Sequence, residues 1–365
     1  MDRAGVETLV MNVYRRLDRS RLQFDFAVVA ADECAYDPEI LELGGRLFRY
    51  PHPRTAALWP YVQRLYATLR QQGPFAAVHS HVHHFSGAVL LTARLAGVPV
   101  RIAHSHTTND GRAASAERRA YRSVMRSLIS RNATHLLANS RASGTALYGK
   151  TCDSDRRFQL VPNGVELADF VDPPPRLTGL RAELGLPASV RLAGHVGRFS
   201  PAKNHEFLVR VFEALTQRLP GAHLVLAGDG PLRPEIEQQL LRLGLRSRVH
   251  MLGVRGDVAE VMRSLDVLVF PSLYEGLGNV VIEAQAAGVP CLVSDAVPQE
   301  TNLGLGLVQF MSLKQAPPAW AGAVMGAMDV PRPPFSARKE AIEASGYTIE
   351  HTCRRLLDIY APEAN

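Results

Sequence analysis

The sequence predicts an α/β protein made of two doubly wound units. Three observations lead there. Apolar runs of strand length alternate with helix-length amphipathic stretches along almost the whole chain. The 365 residues suit two domains of ordinary size, each able to bury a core. A proline-rich stretch, Phe170-Val-Asp-Pro-Pro-Pro-Arg176, reads as a stiff extended linker between them. The expected division is residues 1–170, residues 171–345, and a terminal segment 346–365.

Composition narrows the class. A hydrophobic share of 46% with 21% charged residues reads as globular, and apolar runs break well before the ~20 residues that cross a bilayer. No basic segment leads into an apolar one at the start, so no signal peptide is read. Cys34, Cys152, Cys291 and Cys353 are scattered without a C-x-x-C pair, which suggests reduced thiols in a cytoplasmic protein. The net charge of +6 suits anionic partners. Nucleic acid is excluded, because no recognised motif and no stripe of interleaved aromatic and basic residues is present.

In chain order, Gly5-Val-Glu-Thr-Leu-Val-Met-Asn12 leads directly into an amphipathic helix, with Val6, Leu9, Val10, Val13 and Leu17 on one side. Strands follow at Leu22 to Ala30, Arg46 to Tyr50, Ala76 to Ser80, Val100 to His104 and Thr134 to Asn139. Helices are expected at Leu58 to Gln71, Ser86 to Ala96 and Ser115 to Ser130. Histidines gather at the strand ends: His79, His81, His83 and His84, then His104 and His106. Neither cysteine nor carboxylate lies close in sequence to complete a zinc set, so packed or ligand-facing histidines are expected and no metal is assigned. Segment 112–131 carries Arg118, Arg122 and Arg126 at a spacing of four, with Tyr121, Val124, Met125 and Leu128 available as its apolar side. It reads either as a solvated face or as a helix lying on anionic lipid. Asp153-Ser154-Asp155 reads as a polar surface loop.

The second half contains strands at Val190 to Val196, His223 to Ala227 and Val249 to Leu252, with Lys203 opening a helix over 203–218. Arg198 and Lys203, five apart across a turn, can both reach one diphosphate. Two cations at a helix start oppose the helix dipole unless an anion is bound there. The chain is organised around 265–295. Val267 to Phe270 is a buried strand, Pro271 ends it, Gly278-Asn279 starts a helix that Gly288 closes, and Pro290 to Val293 is the next strand. Ligands bind parallel sheets where strands end and helices begin. Glu275 lies in that loop, and Glu283 lies eight residues on, in the helix. Between them, the N–H groups of Leu277 to Val280 form a helix N-terminus suited to a diphosphate. The two acids either cap and solvate the helix or address sugar and ribose hydroxyls.

Glu275-x7-Glu283 in this setting resembles the retaining glycosyltransferases of family 4, which have the GT-B fold. Gly197-Arg198-Phe199-Ser200-Pro201-Ala202-Lys203-Asn204 is similar to that family's diphosphate segment. Leu226-Ala-Gly-Asp-Gly-Pro231 and Leu252-Gly-Val-Arg-Gly-Asp-Val258 are similar to two further donor-site loops, in the family's order. The resemblance covers nearly the whole chain and is nearest to capsular and exopolysaccharide enzymes. It implies two Rossmann-like domains facing a cleft, an acceptor domain first and a nucleotide-sugar domain second, with a last helix at about 348–360 crossing back. It also implies a first strand ahead of Gly5 that this sequence lacks, so a start further upstream is expected.

Site roles follow from the resemblance alone. Arg198, Lys203 and the backbone of Gly276, Leu277, Gly278, Asn279 and Val280 would hold the diphosphate. Glu283 would hold the ribose, and Glu275 the donor sugar. Val254 and Arg255 would meet the base, Gly5 would approach the donor, and His106, before Thr107, would lie by the reacting sugar. The implied reaction moves a sugar from a nucleotide-diphosphate sugar to a glycan or polyprenyl-linked acceptor without a metal, on the inner face of the cell membrane. A catalytically inactive nucleotide-sugar-binding subunit and a sugar-nucleotide epimerase are the alternatives. A Rossmann dehydrogenase is excluded by the absence of a strand–GxGxxG–helix fingerprint.

Overall fold

The computed structural model describes residues 5–30, 32–51, 58–109, 115–171 and 179–360. Most of the proline-rich linker, together with Ala4 and Arg112, lies outside these residues. The chain forms two compact units, Met1–Gly164 with Ile349–Asn365, and Val165–Thr348. Their edges fall at 164/165 and 348/349, where the sequence reading placed 170/171 and 345/346. Val165 pairs with Thr348 in a parallel bridge, and its N–H donates to the Tyr347 carbonyl at 2.8 Å, so both strands of that crossing belong to the second unit.

The first unit runs α1 (Gly5–Arg16), β1 (Phe26–Val28), α2 (Asp37–Glu42), β2 (Leu47–Arg49), α3 (Leu58–Gln71), β3 (Ala77–Ser80), α4 (Ser86–Leu95), β4 (Val100–Ser105), α5 (Ala116–Asn132), β5 (His135–Ala138), α6 (Arg141–Tyr148) and β6 (Phe158–Leu160). Its strands form two parallel sheets. One is the pair β1–β2, and the other has the order β3-β4-β5-β6. The core gathers Leu9, Met11, Val13 and Tyr14 of α1 against Phe26 and Val28.

The second unit runs α7 (Leu180–Glu183), β7 (Leu192–Val196), α8 (His205–Arg218), β8 (His223–Ala227), α9 (Arg233–Arg242), β9 (Val249–Gly253), α10 (Val258–Ser264), β10 (Val267–Phe270), α11 (Asn279–Ala286), β11 (Cys291–Ser294), β12 (Val308–Met311), α12 (Pro317–Ala327) and α13 (Phe335–Ala344). Its six parallel strands have the order β12-β11-β10-β7-β8-β9. The four middle strands read as near-continuous apolar runs because helices cover both faces. The final helix, α14 (Ile349–Tyr360), packs Ile349, Cys353, Leu356, Ile359 and Tyr360 into the first unit's core.

Several expectations need correction. The strand over Leu22 to Ala30 shrinks to Phe26–Val28, because among the described residues it pairs only with β2, which is three residues long. Lys203 does not open α8. It ends a short 3-10 turn, Pro201–Lys203, after which Asn204 takes a left-handed conformation (φ 54°) that breaks the helical path. On α5, Val124 is 55% exposed, and Met125 and Ile129 form the buried side. The helices α2 and α6 were not anticipated.

The strand β7 lies at the middle of its sheet, and Gly194 on it has no room for a side chain. An added Cβ would sit 2.3 Å from Leu265 Cδ1. Gly194→Ala should therefore destabilise the second unit by about 1–3 kcal/mol through overpacking. Urea unfolding checks this, with Gly221→Ala, where nothing lies within 4 Å, expected to stay near wild type.

Candidate functional site

In the second unit, β10 and β7 are parallel neighbours, so their carboxyl ends lie side by side. The loops that follow them therefore meet. The Leu273 N–H donates to the Ala202 carbonyl at 2.8 Å, tying the loop after β10 to the one after β7. The loops after β7, β8 and β9 are tied in the same way: the Gly197 N–H donates to the Ala227 carbonyl, and Gly228 N–H donates to Gly253. A Cβ at Gly228 would meet the Gly197 carbonyl oxygen at 2.1 Å, so this approach requires glycine.

Where the first two loops meet, Lys203 Nζ donates to Glu275 Oε1 at 2.6 Å. Both side chains are mostly covered, at 19% and 11% exposure. The ammonium also lies 4.6 Å from the centre of the Phe270 ring, a cation–π contact at the end of β10. Beyond Glu275 the chain turns through Gly278 in a left-handed conformation (φ 92°), and α11 begins at Asn279. Leu277 and Val280 are buried, which anchors the helix tip. Burial pushes the Glu283 carboxyl up to about 7, with Lys203 pulling it back. One lysine thus addresses both acids of the Glu-x7-Glu pair.

Other members of the expected site stand differently. Arg198 is exposed at the end of β7 and has no hydrogen bond or ion pair among the described residues. Its cation is available to a ligand. Val254, at the end of β9, is 56% exposed and offers an apolar surface. Arg255 is committed. It donates to Glu183 at 2.6 and 3.0 Å and to Asp257 at 2.8 and 2.7 Å, and these two acids raise its pKa further. Its guanidinium braces the loop after β9 against α7.

His195, which the sequence reading missed, lies on β7 beneath the same loop. Its Nδ1 faces the Val269 carbonyl at 3.0 Å, which sets the proton on Nδ1. Nε2 is buried without a partner, 3.4 Å from where a Gly197 Cβ would be. Burial foremost, with His205 and Lys203 nearby, holds this ring neutral. A polar residue inside the apolar run Leu192–Val196 was the available signal.

In the first unit, Gly5 is the exposed first residue of α1. His106 follows β4, and its Nε2 lies 2.9 Å from His81 Nδ1. Burial is the main cause that keeps His79, His81, His104 and His106 neutral. Asp153 and Asp155 are each paired with an arginine, Arg141 and Arg157, as suits a surface loop.

Two family descriptions match the chain: Glycosyl transferase 4-like domain over residues 4–164, and Glycosyl transferases group 1 over residues 191–328. The chain belongs to the group 1 glycosyltransferases. It is 41% identical over 360 residues to EpsF of Bacillus subtilis (strain 168), whose own glycosyltransferase assignment is provisional, with 99% of this chain and 94% of EpsF covered. It is 32% identical over 310 residues to the D-inositol 3-phosphate glycosyltransferase of Nocardia farcinica, covering 79% of this chain and 67% of that enzyme. Among solved structures, Anabaena HepE in complex with UDP and glucose superposes with a TM-score of 0.77 at 20% identity, covering 98% and 96% of the two chains. WaaG, a glycosyltransferase involved in lipopolysaccharide biosynthesis, superposes with a TM-score of 0.69 at 15% identity, over 98% and 96%. The two Rossmann-like units are those of the GT-B fold.

The raised Glu283 carboxyl has a consequence for stability. Its folded pKa of about 7 exceeds its ordinary 4.5, so the folded state holds this proton more tightly than the unfolded chain. The stability it contributes is complete below about pH 4.5 and is lost as pH rises through 7. Glu283→Gln should therefore melt like wild type near pH 4 and above it at pH 8, by roughly 2–3 kcal/mol at most. Thermal melts across this range check the sign.

Proposed function

We propose that this glycosyltransferase is a retaining enzyme. It moves a sugar from a nucleotide-diphosphate sugar to a hydroxyl of a glycan or polyprenyl-linked acceptor, in cell-surface polysaccharide synthesis. One observation carries the reading: Lys203 pairs with Glu275 in the loop that leads into α11 and acts electrostatically on Glu283 of that helix, with the unpaired Arg198 on the same loop as Lys203. Anions favour a helix N-terminus, and hydroxyl-rich ligands satisfy carboxylates. A diphosphate flanked by two sugar rings presents both. HepE has been solved with UDP-glucose, and the Escherichia coli relative, 28% identical over 238 residues, is named as a galactosyltransferase acting on a diphosphoundecaprenol-linked sugar. Both support this class of donor and acceptor.

In the proposed reaction the acceptor oxygen attacks the anomeric carbon from the face the diphosphate leaves. The new C–O bond forms as the bond to the phosphate oxygen breaks, and the acceptor proton passes to that oxygen. Charge grows on the leaving diphosphate. Arg198, Lys203 and the N–H groups of Gly276 to Val280 stabilise it, so the leaving group needs no metal. Glu283 binds the ribose hydroxyls, and Glu275 orients the donor sugar. His106 serves the sugar end of the reaction, and Gly5 admits the donor.

Arg198→Ala and Lys203→Ala should each lower turnover about 10²–10³-fold, with melting little changed for Arg198→Ala. Transfer from a panel of nucleotide sugars, with the product anomer read by NMR, is the measurement. Near-normal transfer by the double variant would sink the reading. Donor binding without turnover would point to an inactive binding subunit, and donor isomerisation without an acceptor to an epimerase. Glu283→Ala should weaken nucleotide binding at least tenfold by calorimetry.

A second surface bears on localisation. On α5, Arg118, Arg119, Arg122 and Arg126 share one face; Arg119 and Arg126 are exposed while Arg118 and Arg122 are partly covered, and Arg126 also donates to the carbonyls of Ala146 and Leu147. This pattern supports peripheral binding to an anionic membrane, with attraction of about 1 kcal/mol per cation. Sedimentation with acidic vesicles should show binding at low salt that high salt releases. No binding at low salt would remove the membrane reading.

A further inference from the structure

His79, His81 and His104 of the first unit form a cluster that the proposed donor chemistry does not use. The strands β3 and β4 pair in parallel, with His79 opposite Ile102 and Ser80 opposite Ala103. That register brings the histidines at the two strand ends together. His79, His81 and His104 each place one ring nitrogen within 4.8 Å of the others'. His79 Nε2 lies 3.2 Å from His104 Nδ1. Two imidazole nitrogens on one tetrahedral ion, each ~2.05 Å from it, stand roughly 3.3 Å apart.

We propose that His79, His81 and His104 bind one divalent late-transition ion of the zinc class through three neutral imidazoles. The nitrogens that would not touch the ion are each already held. His104 Nε2 lies 3.2 Å from the Val161 carbonyl, which can only accept, so the proton is on Nε2 and Nδ1 presents a lone pair. His79 Nδ1 lies 2.6 Å from Tyr360 Oη. His81 Nδ1 lies 2.9 Å from His106 Nε2, which leaves His81 Nε2 for the ion. Metal-bound histidines characteristically donate their second N–H to such an orienting partner.

Without an ion the same atoms form a hydrogen-bond chain, with Tyr360 O–H donating to His79 Nδ1 and His79 Nε2–H donating to His104 Nδ1. Loading the ion moves the His79 proton to Nδ1, turns the Tyr360 hydroxyl to accept it, and draws the His81 ring in from within 4.8 Å to about 3.3 Å of the other two nitrogens. No carboxylate belongs to the triad, so the ion keeps its charge and its fourth position takes an oxygen ligand, water or an anion. Imidazole ligands suit zinc, cobalt, nickel and copper over calcium or magnesium.

The test uses the full chain stripped with a chelator and titrated with Co²⁺. Wild type should bind one equivalent and develop the visible ligand-field absorption of a tetrahedral site. His104→Ala and His79→Ala should abolish it. Tyr360→Phe, which removes one orienting partner, should weaken it about 10–100-fold. His250→Ala should leave it unchanged. It breaks the His223–His250 pair in the second unit, where two ring nitrogens also lie 2.9 Å apart. If His104→Ala does not fold, as judged by circular dichroism, the half-buried His81→Gln carries the same expectation. Absence of tight binding in wild type, or absorption that survives loss of the triad, would overturn the assignment. The readout is spectroscopic and does not require the donor or acceptor to be known.

Discussion

The ion pair between Lys203 and Glu275 is the constraint on which the second unit's site depends. The two residues are 72 apart in sequence and 2.6 Å apart in space. They meet because β7 and β10 are parallel neighbours whose following loops open at the same sheet edge. A mostly covered pair of this kind gains modest net stability, since desolvation offsets much of the attraction, yet removing one partner leaves an uncompensated charge. Its value here is in position. The Phe270 ring, 4.6 Å from the ammonium, and the Glu275 carboxylate together hold the Lys203 side chain in one place.

The acids beside it have different characters because their surroundings differ. Glu275 has the lysine against it. Glu283 lies deeper, and burial raises its pKa despite the same lysine. A carboxyl that titrates near neutrality can accept from a hydroxyl when ionised or donate when protonated. Under the proposed function, ribose hydroxyls would satisfy either form. Arg198 stands apart as an exposed cation on the same loop as Lys203.

Much of this was legible in the sequence, and the exceptions have physical causes. The helix Leu58–Gln71 and the strands His223–Ala227 and Val267–Phe270 fall where periodicity and length place them, because each is long or strongly apolar. The helix α6 escaped notice although Ser140 and Ser143 form a reciprocal capping box, since serine pairs are common in loops. The position of Lys203 outside α8 depended on Asn204 adopting a positive φ, which asparagine tolerates but does not announce. The sequence also placed Glu275 in the loop between β10 and α11, where it lies. The commitment of Arg255 to Glu183 was not, because that contact spans 72 residues and rests on tertiary placement.

The histidines show the same limit from the other direction. Spacing alone put His79, His81 and His83 at one strand end and found no cysteine or carboxylate nearby in sequence to complete a set. The parallel register of β3 with β4 supplies His104, and α14 supplies Tyr360. Tyr360 also packs edge-on against Phe24, with ring centres 5.5 Å apart, just before β1. One side chain from the last helix therefore touches both His79 of β3 and the segment that leads into β1. A hydroxyl there can donate or accept, so it satisfies His79 in either tautomer. A phenylalanine would fill the same space but orient neither form. Packing alone therefore does not account for a tyrosine at this position, whereas the need to hold a ring nitrogen does.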